Sequence, residues 1–195
     1  MVSLNIYAVL IVLYLFGATQ INSRKIGDEV DELELDYICL KNEKLAKIQF
    51  YAQDIVGGPN ATVHEVARAA VSTDALLSFG KVFVVDDVVT AGPSADTEAL
   101  GKAQGIITSA DMANAAMAMS YNVVFTSGEY NGSSLSVAGR NEVAEERRRV
   151  AVVGGTGVFR FARGYAVFST YSSAVREDSS LYTVIEYTIY STFCP

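Results

Sequence analysis

The sequence has few of the residues on which most catalytic and metal sites depend. Its 195 residues include one histidine and two cysteines. A zinc site with several His and Cys ligands is therefore excluded, and a Ser-His-Asp group would have to use His64. No glycine-rich phosphate loop of the nucleotide-binding type occurs. We expect neither a metal ion nor another cofactor.

Basic residues are also in the minority. Fifteen Lys and Arg stand against 22 Asp and Glu, which gives a formal net charge of −7 and a pI near 4.7. Nucleic-acid-binding proteins usually present a basic surface to the phosphates, so nucleic acid is not an expected partner. Half of the residues are apolar and 19% are charged, which fits one globular domain.

An apolar run lies close to the N-terminus. Residues 4–16 are apolar apart from Asn5, and the small residues 17–19 follow. The run is too short to span a bilayer but is typical of the hydrophobic region of a secretory signal. We predict a signal peptide over residues 1–23 and a secreted, extracellular protein.

The rest of the chain is predicted to form a lead-in and one domain. Six of the nine residues 28–36 are acidic, so this run repels itself and has little to bury. We interpret residues 24–38 as a flexible lead-in. No further linker or repeat follows, and residues 39–195 are expected to form one folded unit.

In a secreted protein, the two cysteines are expected to form a disulfide. Cys39 lies near the start of the predicted domain and Cys194 is the penultimate residue. A bond between them would close a loop of about 155 residues and stabilise the fold by about 5 kcal/mol in the chain-entropy model, provided that the first and last elements are neighbours. Two free or intermolecular thiols are the alternative. Sequons at Asn60 and Asn131 fit glycosylation in the same compartment.

The predicted domain consists mostly of β-strands. Seven segments are rich in β-branched and aromatic residues and are separated by glycine-containing turns. They are Ala46–Ile55, Val82–Asp86, Tyr121–Thr126, Leu135–Val137, Arg148–Val153, Phe159–Tyr171 and Leu181–Tyr190. Residues 110–119 are either a short helix or a loop that leads into the next strand. Many short strands at close spacing predict an antiparallel barrel or sandwich.

Strand alternation places two charged residues on apolar faces. In the first strand the even positions 46 to 52 are apolar, and Asp54 continues that face. Arg148 shares its face with Val150 and Val152. An isolated buried charge is costly, so we expect Asp54 and Arg148 to pair or to serve a ligand pocket. A strand-end position that reaches solvent is the alternative.

Two other polar features have simpler interpretations. His64 is predicted to be a surface or strand-start residue. Asp86 and Asp87 end a predicted strand, where side-chain oxygens commonly cap the following turn. Binding of a cation or a substrate by these two aspartates is the alternative.

A series of motifs gives the sequence a family resemblance. In order, they are Phe50-Tyr51-x-x-Asp54-Ile55, Asp86-Asp87-x-x-Thr90-x-Gly92-Pro93, Ala103-Gln104-Gly105, Val124-Phe-Thr-x-Gly-Glu-Tyr-Asn-Gly132, Gly139-Arg-Asn141, Val152-Val-Gly-Gly-Thr-Gly157 and Phe159-Arg-x-Ala-Arg-Gly-Tyr-Ala166. Together they resemble the plant dirigent proteins over about residues 45 to 191. Several independent motifs in the right order make a chance similarity negligible.

This resemblance implies a fold and a function. The implied fold is an eight-stranded antiparallel β-barrel, secreted to the apoplast as a homo-oligomer (trimer or dimer), with a pocket at the barrel mouth. The implied function is stereochemical control of phenoxy radical coupling, from monolignols such as coniferyl alcohol to optically active lignans or related dimers. An external laccase or peroxidase makes the radicals, since dirigent proteins have no oxidising centre. A lyase that forms and cyclises a quinone methide to a pterocarpan, and a barrel that organises lignin in the wall, are the alternatives.

The resemblance also implies site residues. Asp54 and Arg148 match family positions that act on the quinone methide formed after coupling, and Phe50 and Asn141 are expected in the substrate pocket. Where the pinoresinol-forming branch has an Asp in Gly-Ala-Asp-Pro, this chain has Asn141, which cannot donate an acidic proton. Its Gly-Arg-Asn pattern is similar to a broader group that includes pterocarpan-forming dehydratases.

The assignment of Asp54 to the pocket predicts the effect of one substitution. Asp54→Asn should abolish the excess of one enantiomer among the coupled products, because it replaces a carboxyl group that is expected to face the substrate in the pocket. Chiral chromatography of the products from coniferyl alcohol and a one-electron oxidant measures that excess. An unchanged excess would contradict the assignment.

Overall fold

The computed structural model describes residues 43–194, and nearly all of them belong to β-strands or tight turns. The strands are β1 (Lys44–Val56), β2 (Val63–Arg68), β3 (Lys81–Thr90), β4 (Ala99–Ser109), β5 (Ala116–Phe125), β6 (Ser134–Glu142), β7 (Arg148–Thr156), β8 (Arg163–Val175) and β9 (Leu181–Phe193), with a 3-10 turn at Gly157–Phe159. The predicted signal peptide, the acidic lead-in and Cys39 lie outside the described residues. Within residues 43–194, no helix is long and apolar enough to cross a membrane.

The strands close into a ring of hydrogen-bonded neighbours. From β3 to β9 each strand pairs antiparallel with the next, and β9 returns to pair with the whole of β1. β1 also pairs directly with β3, from Tyr51–Thr90 to Gln53–Val88. Eight strands therefore complete the antiparallel barrel that the family resemblance implies. β2 is a ninth, short strand, which pairs with β3 where β1 and β3 separate.

Alternation along the strands places the core inside this ring. Inward positions carry fully buried apolar side chains such as Val123, Leu135 and Ile189. One end of the barrel is filled by an aromatic cluster whose ring centroids lie 4.8 to 5.7 Å apart. The cluster consists of Phe125, Tyr130, Phe159 and Phe193. The opposite end contains a cavity, and two inward carboxyl groups and one inward guanidinium group line it.

Two strands of the structure are not predicted from the sequence. The first part of β4, residues 99–105, consists mostly of glycine, alanine and other residues of low β propensity, and it becomes a strand because β3 and β5 pair with it on both sides. β2, also unpredicted, pairs with β3. Residues 110–115 form a loop that leads into β5 at Ala116, which is one of the two alternatives predicted for this segment.

The length of β3 overturns the prediction for the two aspartates. β3 continues to Thr90, so Asp86 and Asp87 lie inside a strand and do not cap a turn. Asp86 is on the outer face, where Lys102 binds its carboxylate at 2.8 Å. Asp87 is on the inner face and is buried.

Glycine is required where β4 passes close to β5. A Cβ atom at Gly101 would overlap the carbonyl oxygen of Val124, and one at Gly105 would overlap that of Ser120. The close approach of the two backbones therefore explains both glycines.

Substitution of Gly101 tests this packing. Gly101→Ala should lower the free energy of unfolding by about 2–3 kcal/mol or more, because β4 and β5 must separate to make room for the methyl group. Urea unfolding followed by circular dichroism measures the change. Gly154→Ala is the matched control, because nothing lies within 4 Å of the added atom. Equal losses in the two variants would contradict the packing argument.

Candidate functional site

The open end of the barrel holds a cavity of about 310 Å³ to which all nine strands contribute. Most of its wall is apolar, with side chains that include Val85, Ile107 and Met119. The polar groups in the wall are few: Asp54, Asp87, Tyr121, Asn141, Arg148, Thr170, Ser173, Thr183 and Tyr187. An apolar pocket with a small number of converging polar groups is the usual form of a small-molecule site.

Aromatic rings support the inner part of this cavity. Tyr187 lies between Phe50 and Phe168, with ring centroids 5.1 and 4.9 Å away, and both pairs are stacked. Phe50, predicted as a pocket residue, is fully buried behind Tyr187 and does not line the cavity. Its contribution is to hold Tyr187 in place.

Two carboxyl groups occupy the wall formed by β1 and β3. Asp54 faces the cavity, as strand alternation predicts. Asp87, which the sequence prediction assigned to a turn, lies beside it with 4% of its surface exposed. Alternation would have found Asp87 if the predicted strand had been longer, because Phe83, Val85 and Val89 share its face.

Burial controls the protonation of these carboxyl groups. It raises the pKa of Asp54 from 3.8 to about 6. The pKa of Asp87 rises to about 8, first through burial and then through the negative charge of Asp54, against a hydrogen bond from Thr62 that lowers it. The two neighbouring carboxyl groups, Asp87 buried and Asp54 half-buried, therefore retain a proton at neutral pH.

Arg148, on β7, forms part of the cavity wall on the other side of the barrel. It is 7% exposed, its Nη2 donates to Thr170 Oγ1 at 2.8 Å, and its guanidinium lies 4.8 Å from the ring centroid of Phe168. Burial lowers its pKa from the usual 12.5. Among the described residues no ion pair joins Arg148 to Asp54, so the predicted pairing is not formed and the pocket alternative is the one that the geometry favours.

Three side chains that line the cavity have a buried polar atom without a hydrogen-bond partner among residues 43–194: Nε of Arg148, Oδ1 of Asn141 and the hydroxyl oxygen of Tyr121. The side chain of Asn141, on β6, is 3% exposed. Buried polar atoms are normally satisfied by protein, water or ligand. A bound molecule with a hydroxyl and an acceptor oxygen would satisfy Asn141 and Arg148.

The other predicted residues lie away from the cavity. His64 is exposed at the start of β2, with its ring near the carbonyl oxygen of Ala61. Asn60 and Asn131 are exposed in turns. Cys194 is disulfide-bonded, but its predicted partner Cys39 lies outside the described residues, so their pairing stays a prediction. The described part of the chain contains no cluster of three or more His, Cys, Asp or Glu that could hold a metal ion.

Comparison with known proteins decides the family. A family model for Dirigent-like protein matches residues 45–192. The chain belongs to the dirigent family. Dirigent protein 1 of Arabidopsis thaliana is 39% identical over 154 residues, which cover 79% of this chain and 82% of the relative.

Two pterocarpan synthases are similar to this dirigent protein at the same level. Pterocarpan synthase 1 of Glycyrrhiza echinata is 40% identical over 151 residues, 77% of this chain and 79% of the relative. The solved structure of the pterocarpan synthase dirigent protein PsPTS1 superposes with a TM-score of 0.71 at 39% identity and covers 78% of this chain and 97% of that one.

The buried carboxyl pair predicts how the stability of the dirigent domain depends on pH. Because the folded-state pKa of Asp54 and Asp87 exceeds the unfolded value, the folded state binds more protons, and the free energy of unfolding falls as pH rises from about 5 to about 8. Asp87→Asn should make this decline shallower. Urea unfolding at a series of pH values provides the measurement.

Asp86→Asn is the control for this prediction. Its carboxylate is exposed, and Lys102 lowers its pKa, so it titrates below this pH window. The control should keep the wild-type slope. Identical slopes for wild type and Asp87→Asn would contradict the prediction.

Proposed function

We propose that this dirigent protein binds a phenolic quinone methide in the barrel cavity and controls the face on which an internal hydroxyl closes the new ring. The observation that carries this proposal is a proton-holding carboxyl pair on one wall of an apolar cavity and an arginine with an unpartnered Nε on the other. Ring closure moves electrons onto a phenolic oxygen, so a proton donor or a cation near that oxygen promotes it.

The first source of the quinone methide is radical coupling. An external laccase or peroxidase oxidises a monolignol such as coniferyl alcohol, two phenoxy radicals couple in the cavity, and the coupled product closes to an optically active lignan or related dimer. This source is supported by membership of the dirigent family. Only a small energetic preference is needed, since about 1.4 kcal/mol between two orientations gives a tenfold ratio of enantiomers.

The second source is loss of water from an isoflavanol. Two observations favour it: the similarity to pterocarpan synthases and the buried carboxyl groups, whose raised pKa allows a proton to be given to a leaving hydroxyl. In addition, the unpartnered amide oxygen of Asn141 can accept a hydrogen bond from a neutral hydroxyl group of the substrate. In this case the protein is a lyase and needs no oxidant.

We further propose that the protein acts in the apoplast as a homo-oligomer. The apolar N-terminal run and the two exposed sequon asparagines support secretion and glycosylation. Exposed apolar side chains on the outer faces of β3 and β4, namely Val84, Val88 and Ile106, suit a contact with a second copy.

A product assay tests the proposal. With coniferyl alcohol and a one-electron oxidant, the protein should give one enantiomer in excess, whereas oxidant alone gives a racemate. With an isoflavanol and no oxidant, it should give a single pterocarpan enantiomer if the second source applies. Racemic or absent products with both substrates would contradict the proposal and leave the wall-organising role.

Arg148→Gln should reduce the enantiomeric excess or the rate, because the glutamine side chain is neutral and cannot stabilise a phenolate as a cation does. Arg149→Gln is the matched control, since Arg149 is the exposed neighbour on the outer face of the same strand.

A further inference from the structure

The two pocket carboxyls lie where strands β1 and β3 separate. The direct pairing of β1 with β3 ends at Gln53 and Val88. Continued by one pair, the same register sets Asp54 opposite Asp87, at the point where the two strands begin to diverge. Their charges accordingly affect each other. The two carboxyl groups thus face the cavity as neighbours.

Thr62 fills the gap between the separating strands. Its backbone N–H donates to Ile55 O at 2.9 Å, and its carbonyl oxygen accepts from Asp86 N at 2.9 Å. Its hydroxyl oxygen accepts from Ile55 N at 3.0 Å and its hydroxyl proton is donated to Asp87 Oδ1 at 2.5 Å. Thr62 therefore links β1 to β3 and orients one carboxyl group.

This arrangement distinguishes the two oxygens of Asp87. Oδ1 accepts the hydroxyl proton of Thr62, whose oxygen in turn accepts from Ile55 N. Oδ2 is left to carry a proton. No described side chain hydrogen-bonds to Oδ2 or to the carboxyl group of Asp54, and both residues line the cavity.

We propose that Asp87 is the acid–base residue of the cavity and that Asp54 and Thr62 are its positioning residues, Asp54 through its charge and Thr62 through its hydrogen bond. This inference rests on the proposed function and adds the residue that moves the proton.

The surroundings of Asp87 support this division of roles. The titratable and charged groups that influence or face it are Asp54 on β1, its own neighbour Asp86, Tyr121 on β5, Tyr187 on β9 and, across the cavity, Arg148 on β7. Burial raises the pKa of Asp87 and of both tyrosines. Asp54 is half-buried whereas Asp87 is 4% exposed, so Asp54 is the first to ionise, and its charge then keeps the proton on Asp87.

In the radical route, Oδ2 of Asp87 gives its proton to the carbonyl oxygen of the quinone methide. The internal hydroxyl oxygen bonds to the methide carbon, the conjugated electrons form the phenol, and the hydroxyl proton returns to the carboxyl pair. Donor and acceptor are thus restored, and no net proton is consumed.

In the elimination route, the same proton goes to the leaving hydroxyl. The carbon–oxygen bond breaks, water departs, and the phenol, having lost its own proton to solvent, supplies the electrons that form the quinone methide. Closure by the second hydroxyl returns one proton to Asp87, and the phenolate regains its proton from solvent.

Rates of ring closure measured against pH test the assignment, with whichever substrate the wild-type protein converts. Asp87→Asn should lose about 100-fold or more at every pH, because it removes the general acid. Asp54→Asn should lose activity near neutral pH and recover it in acid, because the pKa of Asp87 falls when the charge of Asp54 is removed. The alkaline limb of its pH–rate profile should therefore lie about one pH unit or more below that of wild type. Asp86→Asn removes only the weakest of the charges that act on Asp87, so it should keep the wild-type rate and move the alkaline limb much less than Asp54→Asn does. A wild-type rate in Asp87→Asn, or an unmoved limb in Asp54→Asn, would overturn the proposal.

The hydrogen bond from Thr62 has its own test. Thr62→Val removes the hydroxyl and should move the alkaline limb to higher pH, because the bond lowers the pKa of Asp87. Thr62→Ser should restore the wild-type profile. Since Thr62 belongs to the sequon at Asn60, Asn60→Gln is the control that removes the sequon alone. A profile that moves equally in Asn60→Gln and Thr62→Val would overturn the role of the hydroxyl.

Infrared difference spectra separate this inference from the proposed function, because they need no turnover. Near neutral pH, wild type should show the carbonyl band of a buried, protonated carboxylic acid. That band should be absent in Asp87→Asn. In Asp54→Asn it should disappear at a lower pH than in wild type. If neither substrate reacts but the band behaves in this way, the assignment of the proton stands and the proposed function fails. A band that persists in Asp87→Asn overturns the assignment.

Discussion

Closure of the hydrogen-bonded ring is the constraint on which the rest of this structure depends. Because β9 pairs with β1 along thirteen residue pairs, every inward side chain faces the same enclosed volume. Aromatic side chains fill one end of that volume, and the other end holds the cavity. Closure of the barrel thus places Asp54 and Arg148 around one cavity, although they are 94 positions apart in the chain.

The same enclosure makes the cavity electrostatically unfavourable in the absence of a bound molecule. Burial opposes ionisation of Asp54, Asp87 and Arg148, and among the described residues no ion pair between the arginine and either carboxyl group offsets that cost. Polar atoms without partners on Asn141 and Arg148 add to it. Proteins usually tolerate such groups where a ligand completes their interactions. The cavity therefore has the energetic character of a ligand-binding site.

Family membership and local geometry answer different questions about the protein. Membership of the dirigent family accounts for the barrel and is consistent with both candidate sources of the quinone methide, since named relatives include dirigent proteins and pterocarpan synthases at similar identity. A shared fold does not choose the chemistry. The acid–base groups are instead distinguished by local hydrogen bonds, above all by the way Thr62 occupies the gap between β1 and β3.

The local pattern of the sequence determined the all-β class, most strand positions and the inward direction of Asp54, because alternation is a property of a single strand and has a period of two residues. Only the tertiary structure decided where a strand ends and which strands face each other, since both depend on pairing with distant segments. In the structure, β3 extends past Asp87 and residues 99–109 form the strand β4. Phe50 packs behind Tyr187, and Asp54 and Arg148 lie on different walls of the cavity. Backbone hydrogen bonds from neighbouring strands outweighed weak local β propensity in residues 99–105 of β4 and at Asp86 and Asp87 of β3, and packing across the barrel interior set the contacts of the inward side chains.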